Sequence, residues 1–280
     1  MNLTLSGHIR PTLLNAVVNL SRPTRIIPLH ERAWRLESVD DSGARRLEVT
    51  ARCSIETVDH AYVESHVRFS NIKLLVMDMD STLITIECID EMADYAGKRA
   101  EVAAITEATM NGEIKDFSES LKRRVALLEG LDVDAMRCVY EQRLQISPGA
   151  EALLRAARDT GAYLLLVSGG FTYFADRLKS ALGFDAAYAN ELETCDGKLT
   201  GRLLGEVIDS SAKAERVRHA MKVAVCNGSQ TLVIGDGAND IPMMLCVDQS
   251  IAYHAKKTVR DVSSMTICYG SLAVALDYLV

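Results

Sequence analysis

Three short polar stretches in this sequence gather groups able to do chemistry: Asp78-Met79-Asp80-Ser81-Thr82, Ser168-Gly169-Gly170 and Gly235-Asp236-Gly237-Ala238-Asn239-Asp240. Taken singly, each is ordinary. A D-x-D pair caps helices, Ser-Gly-Gly punctuates loops and Gly-Asp-Gly is a common turn. Two alternative motifs fail by position. A calcium loop opening at Asp78 needs glycine at its sixth place and glutamate at its twelfth, where Leu83 and Ile89 stand. A dinucleotide fingerprint opening at Gly235 puts Asp240 in the place of its third glycine, where it would repel the pyrophosphate, and no Walker lysine follows. What remains is carboxylates gathered beside a phosphate group, which calls for a hard cation such as magnesium to offset their mutual repulsion. With that cation present an aspartate can attack phosphorus to give an aspartyl-phosphate, while an acid two residues along reaches the leaving oxygen.

The elements that must position these groups show in the flanking pattern. Lys73-Leu74-Leu75-Val76-Met77 is a short apolar run of the buried-strand kind that stops at Asp78. Strands are expected at Tyr163–Val167, before Ser168, at Thr231–Ile234, before the Gly235 loop, and at Ser250–Tyr253. Helices are expected at Ala150–Asp159, Phe174–Leu182, Ala212–Lys222 and Ile241–Cys246, with a hairpin turning at Cys195-Asp196-Gly197. This alternation predicts an α/β fold, a doubly wound, mostly parallel sheet, with the polar groups along its carboxyl edge where ligands bind. Residues 87–146 read as helical, through Val102–Thr109, Phe117–Glu129 and Ala135–Leu144, and are expected to form an inserted cap on a core of residues 71–86 and 147–280. Residues 1–70 read as a small α+β module. Its expected strands are Asn2–Leu5, Arg25–Leu29, Ala33–Glu37 and Arg46–Ala51, with a helix over Pro11–Leu20 and a hairpin turn at Asp40-Asp41-Ser42-Gly43. No final strand is expected between Asp59 and Ser70, and nothing in the module gathers acids, bases or metal ligands.

Composition narrows the classes of partner. The 280 residues are 48% hydrophobic, enough for a full core, and 31 Lys+Arg against 38 Asp+Glu leave a formal charge of −7. That balance offers no broad attraction for nucleic acid or an anionic membrane, so a small anionic substrate needs a local cationic pocket. No apolar run approaches the roughly 20 residues of a membrane span, and the start Met1-Asn2-Leu3-Thr4 lacks a secretory layout, so a cytoplasmic location is expected. Seven cysteines, an odd number without a C-x-x-C pair, argue against both a disulfide framework and a zinc knuckle.

Together with Lys213, the three polar stretches resemble the four signature motifs of the haloacid dehalogenase-like phosphatases. Within that superfamily, Glu87, Met110-Asn111-Gly112, Phe117 and the run Arg123–Leu131 are similar to the cap of the phosphoserine phosphatase family, and the resemblance covers residues 72–280. It implies a Rossmannoid core and magnesium-dependent hydrolysis of O-phospho-L-serine, a small-molecule substrate, to L-serine and phosphate, the last step of serine synthesis. It implies Asp78 as nucleophile and metal ligand, Asp80 as general acid and base with its backbone carbonyl on the metal, and Asp236 as the remaining protein ligand. Ser168 and the amide of Gly169 would hold phosphate oxygens, Lys213 would neutralise the phosphoryl charge, and Asn239 and Asp240 would position the phosphate side and Lys213. Arg124 would take the substrate carboxylate, Glu87 its ammonium group, and Met110 and Phe117 would wall the pocket. Families of this kind often carry ACT-like amino-terminal domains, so residues 1–70 are expected to be ACT-like, and the module leaves room for a homodimer. Two other readings stay open. One is a phosphatase or phosphotransferase of this superfamily acting on another small phosphomonoester. The other is an amino-acid-binding regulatory protein, against which intact Asp78, Asp80, Lys213 and Asp236 speak.

Overall fold

The computed structural model describes residues 1–280 except 111, 112 and 115, and Met110 through its backbone alone. The expected pocket wall at the Met110 side chain and the Asn111-Gly112 match therefore lie outside the described residues. The chain begins with β1 (Asn2–Ser6), α1 (Pro11–Ser21), β2 (Arg25–His30), β3 (Ala33–Glu37), α2 (Gly43–Ile55) and β4 (Asp59–Val63), whose strands make an antiparallel sheet in the order β2-β3-β1-β4. Strand alternation divides its faces. Leu3, Leu5 and Leu36 pack with Leu13, Val17, Val49 and Cys53 of the two helices, while Thr4, Ser6 and Arg35 turn to the other side.

Two expectations for this region are overturned. Arg46–Ala51 is not a strand but the middle of α2, and the Asp40–Gly43 turn leads into that helix instead of closing a hairpin. The β-branched pair Val49-Thr50 reads locally as strand. Val49 and Cys53, however, stand four apart on the buried stripe of a helix, with the Glu48–Arg52 ion pair (2.9 Å) outside. A final strand does exist after Asp59: in β4, Asp59, Ala61 and Val63 are buried at alternate positions. Its polar start hid it, because Asp59 is buried as the acceptor of the amides of Cys268, Tyr269 and Gly270 at 2.6–3.3 Å.

The second sheet starts at β5 (Leu74–Met77), after which come α3 (Cys88–Tyr95), α4 (Arg99–Met110), α5 (Phe117–Ala126) and α6 (Asp134–Gln142), helical as expected. It continues through α7 (Ala150–Asp159), β6 (Tyr163–Phe171), α8 (Thr172–Leu182), β7 (Ala186–Cys195), β8 (Lys198–Leu204), α9 (Ser210–Val223) and β9 (Thr231–Gly235). Last come α10 (Ile241–Met244), β10 (Gln249–Tyr253), α11 (Lys257–Arg260), β11 (Met265–Ile267) and α12 (Val274–Tyr278). The order is β11-β10-β9-β5-β6-β7-β8, parallel except for the β7–β8 hairpin. Central β5 is fully buried because both faces are covered: Leu75 and Met77 pack with Leu164 and Leu166, and Leu74 and Val76 with Leu165, Val167 and α9. Among the described residues no helix is long and apolar enough to cross a membrane, and every cysteine is free.

Candidate active site

The parallel order β9-β5-β6 sets three strand ends side by side. Asp78 follows β5 directly, and its amide continues the ladder by donating to Ile234 O at 3.0 Å, so its carboxylate leaves the sheet at the middle of the carboxyl edge. The next turn is tight. Ile84 N–H closes on Met79 O at 3.0 Å, and Ser81 takes the left-handed conformation (φ 56°). Asp80 is thereby brought to β6, where its Oδ2 accepts from Ser168 Oγ (3.2 Å) while its Oδ1 accepts from the Cys88 amide (2.8 Å). A Cβ at Gly170 would run into Asp80 Oδ2, so this approach demands glycine.

The β6–β7 ladder is interrupted between Val167 and Phe171, which releases Ser168-Gly169-Gly170 from strand pairing. Buried Asn190 holds the loop, its Nδ2 donating to Gly169 O (2.8 Å) and its Oδ1 accepting from Ile208 N–H (2.7 Å). Lys213, fully buried on the first turn of α9, donates through Nζ to Asp78 Oδ1 (2.5 Å) and Asp240 Oδ1 (2.8 Å). The other Asp240 oxygen accepts from the amides of Asp236 and Gly237, both at 3.1 Å, and fixes the loop after β9.

Burial, reinforced by repulsion from Asp240 and Asp236, holds the Asp78 carboxyl well above the usual range despite the ammonium of Lys213. Burial also raises Asp80, against the hydrogen bonds from Cys88 and Ser168, and burial with the Asp240 charge pushes Asp236 up to about 7. Burial alone would lower Lys213, but Asp240 and Asp78 outweigh it and raise its pKa. Among the described residues the site is therefore rich in carboxylates that the ammonium of Lys213 only partly offsets. Asp78, Asp236 and Asp240 offer oxygens within 4.8 Å of one another and could hold a metal ion, and an all-oxygen donor set suits a hard cation. The side chain of Asp80 stands outside this group.

The helical insertion adds a second set. Glu87, just before α3, is open to solvent and accepts from Ser81 Oγ at 2.6 Å, yet the protein crowded around its carboxyl, followed by the Asp80 charge, pushes it up to about 8. Phe117 opens α5, with a ring carbon 2.9 Å from where a Cβ on Gly169 would sit, and Asn239 Nδ2 lies 3.8 Å from the same point. Arg124, in the last turn of α5, has its pKa lowered by burial against the opposing charges of Glu87, Asp90 and Asp80, and its Nε is buried with no hydrogen-bond partner.

The expected residues thus converge: Asp78, Asp80, Ser168, Gly169, Lys213, Asp236, Asn239 and Asp240 at the sheet edge, with Glu87, Phe117 and Arg124 brought over them by the insertion. Sequence reasoning missed Thr82, fully buried with Oγ1 donating to Asp236 Oδ1 (2.9 Å), and Asn190. Thr82 stands inside the Asp78 stretch and could have been asked for a partner. Asn190, a polar residue at the end of Ala186-Ala187-Tyr188-Ala189, gave only the weak signal of a buried-type strand ending in an amide.

The family model for haloacid dehalogenase-like hydrolase matches residues 75–245. A phosphoserine phosphatase from Polaromonas sp. is 49% identical over 215 residues, 75% of this chain and 91% of that protein. The crystal structure of a probable phosphoserine phosphatase from Vibrio cholerae, in unliganded form, aligns with a TM-score of 0.83 at 31% identity, covering 99% of this chain and 86% of that one. A solved phosphoserine phosphatase with a phospho-aspartyl intermediate analogue aligns with a TM-score of 0.70 at 37% identity, covering 75% of this chain and 99% of that one. With the signature groups gathered at one sheet edge and similarity of this degree along most of its length, the chain belongs to the phosphoserine phosphatases of the haloacid dehalogenase-like hydrolase family.

Proposed function

We propose that this chain hydrolyses O-phospho-L-serine to L-serine and phosphate through an aspartyl-phosphate at Asp78. The observation that carries the reading is the pairing of two buried carboxylates, Asp78 and Asp80, with the buried ammonium of Lys213, beneath an Arg124 Nε that has no protein partner. Lys213 engages Asp78 Oδ1 and leaves Oδ2 to attack phosphorus. As that bond forms, the phosphorus–oxygen bond to the serine oxygen breaks and Asp80, whose raised pKa favours the protonated acid, gives its proton to that oxygen. A water then attacks phosphorus, Asp80 takes back a proton, and phosphate departs as Asp78 is restored. Ser168 and the Gly169 amide are placed to hold phosphoryl oxygens, and Asn239 to orient them.

Magnesium is the cation we assign to the acidic group, held by Asp78, Asp236 and the Asp80 backbone carbonyl with Asp240 alongside, and when bound it would neutralise the carboxylates and polarise phosphoryl oxygens. Chelation is expected to abolish turnover, magnesium to restore it and calcium to restore little, measured as phosphate release. Full activity in excess chelator would exclude a metal-dependent site. The same reading divides the chain into a module of residues 1–70, a core of 71–86 and 147–280 and a cap of 87–146. It also carries a cytoplasmic role at the end of serine synthesis.

Substrate identity is tested on a panel of both phosphoserine enantiomers, other small phosphomonoesters and an aryl phosphate. Arg124→Ala should slow phosphoserine by roughly 10²-fold, since a buried bidentate guanidinium–carboxylate contact supplies about 3 kcal/mol, and should hardly touch an ester without a carboxylate. An equal loss on both would leave Arg124 with a folding role only. Asp80→Asn should slow phosphoserine far more than the aryl phosphate, whose leaving group needs no proton. Equal losses there would remove Asp80 as the acid.

A further inference from the structure

The helical insertion is tied to the catalytic sheet by backbone hydrogen bonds at two places. Its two ends run together as a short antiparallel stalk: Ile84 bridges Ile146, Thr85 N–H donates to Gln145 O (3.0 Å) and Ser147 N–H to Leu83 O (2.9 Å). The second tie is made by the tip of the β7–β8 hairpin. Just past α5, Gly130 N–H donates to Leu199 O (2.8 Å), Leu199 N–H to Leu131 O (2.8 Å) and Val133 N–H to Gly197 O (3.0 Å). Between the last two bonds Asp132 and Lys198 face each other as the non-hydrogen-bonded pair of an antiparallel bridge. Residues 130–133 thus cover the start of β8, the outermost strand of its sheet, whose edge would otherwise be unpaired there. Packing follows the same line. Leu199 is buried in one cluster with Leu121, Val125 and Leu128, and Gly201 (φ 76°) lays the backbone of β8 against the end of α5. A Cβ at Gly201 would stand 3.1 Å from Glu129 Cβ and 3.2 and 3.3 Å from Ala126 O and Cα. Arg124 belongs to that last turn of α5. A stalk alone leaves the insertion free to tilt, and a second support removes the tilt at the turn that carries the guanidinium.

We propose that the β7–β8 hairpin is a positioning element for substrate selection. By holding residues 130–133 and the end of α5, residues 197–201 set where Arg124 stands over the phosphoryl site, and the tie stays closed through the catalytic cycle. The proposal rests on the reading of Arg124 as the ligand of the substrate carboxylate. Among the described residues, no hydrogen bond of the Asp78, Asp80, Lys213 or Asp236 side chains goes to this hairpin tip. Disturbing the tip should therefore fall on recognition of the carboxylate and spare the steps at phosphorus.

Two variants of the full chain test it. Gly201→Val drives a branched side chain into the end of α5, and kcat/KM on phosphoserine should fall about tenfold or more, with an aryl phosphate changed by no more than about twofold. Equal losses on both substrates would overturn the proposal. Arg124→Ala is measured beside it. A selective loss in Arg124→Ala without one in Gly201→Val overturns the hairpin's role alone, whereas no selectivity in Arg124→Ala overturns the reading on which that role rests. The second variant does not depend on Gly201→Val folding. Asp132→Cys with Lys198→Cys joins the tie covalently, since a non-hydrogen-bonded antiparallel pair, with Cα atoms about 4.5 Å apart, suits a disulfide. Cys195→Ser is added because Cys195 pairs with Lys198 across the hairpin. The oxidised form should turn over both substrates within about twofold of the reduced form. An oxidised form slowed on both and restored by reductant would show that the tie must open, and would overturn the proposal. Failure of the two thiols to join in the folded chain would overturn it as well.

Discussion

Asp78→Asn is expected to lower phosphoserine turnover by about 10⁴-fold or more while the protein folds normally. An amide fills nearly the same volume as the carboxylate and can still accept from Lys213, so the structural demand at the end of β5 is met. It cannot attack phosphorus, and the neighbouring carboxylates are held in other contacts: Asp80 by Cys88 and Ser168, Asp236 by Thr82, and Asp240 by Lys213 and two loop amides. Steady-state phosphate release, with circular dichroism to verify folding, measures the effect. Retained turnover in a folded variant would move the nucleophile elsewhere, as would failure to trap a phosphoryl-type adduct at Asp78 in the parent chain.

Lys213→Met should reduce both activity and stability. Removing the one ammonium that the described residues bring to this buried pair leaves Asp78 and Asp240 facing each other uncompensated, a loss of about 3 kcal/mol by the rule for breaking a buried ion pair. The sign with pH follows from Asp78, whose carboxyl is already raised in the folded protein and rises further without Lys213. A group with a raised folded pKa binds its proton more tightly folded than unfolded, so the deficit should be largest near about pH 8 and shrink as pH falls toward about 5. Metal added at pH 8 should recover part of the stability, but not turnover, because the phosphoryl group loses its cation. Denaturant unfolding at the two pH values decides the matter. A deficit independent of pH would point to lost packing around the Lys213 side chain in place of charge.

The catalytic sheet was legible because each of its signals was local. A run such as Leu74–Met77 can be buried on both faces only in a covered parallel sheet, and the polar groups that stop such runs mark its carboxyl edge. The amino-terminal module was legible only in part. Asp59 looks like the end of ordered structure in sequence and is the buried start of β4, because its partners lie more than two hundred positions away. Val49-Thr50 looks like strand, and the stripe that makes α2 a helix needs a sheet to pack on before it means anything. Within the site, type and spacing singled out the groups to which the proposed chemistry is assigned, and family resemblance supplied their expected roles. Residues that hold those groups in place, Asn190 and Thr82, escaped, since a single buried amide or hydroxyl has no period and declares itself only through the backbone it touches.

The carboxylate of Asp59, set across three amides of the loop before α12, also decides how the molecule comes apart. Ala61, Val63, Val67 and Phe69 belong to the same buried apolar cluster as Leu75, Met77 and Tyr278, so the first sheet and the second do not own separate interiors. Peeling them apart would give up the bonds of the Asp59 carboxylate to three amides, at about 1.5–3 kcal/mol for a hydrogen bond to a charged group, before any apolar surface is counted. Melting is thus cooperative across the seam: the two sheets form one folding unit, and a chain cut near residue 70 would lose a wall of its own interior instead of an appendage.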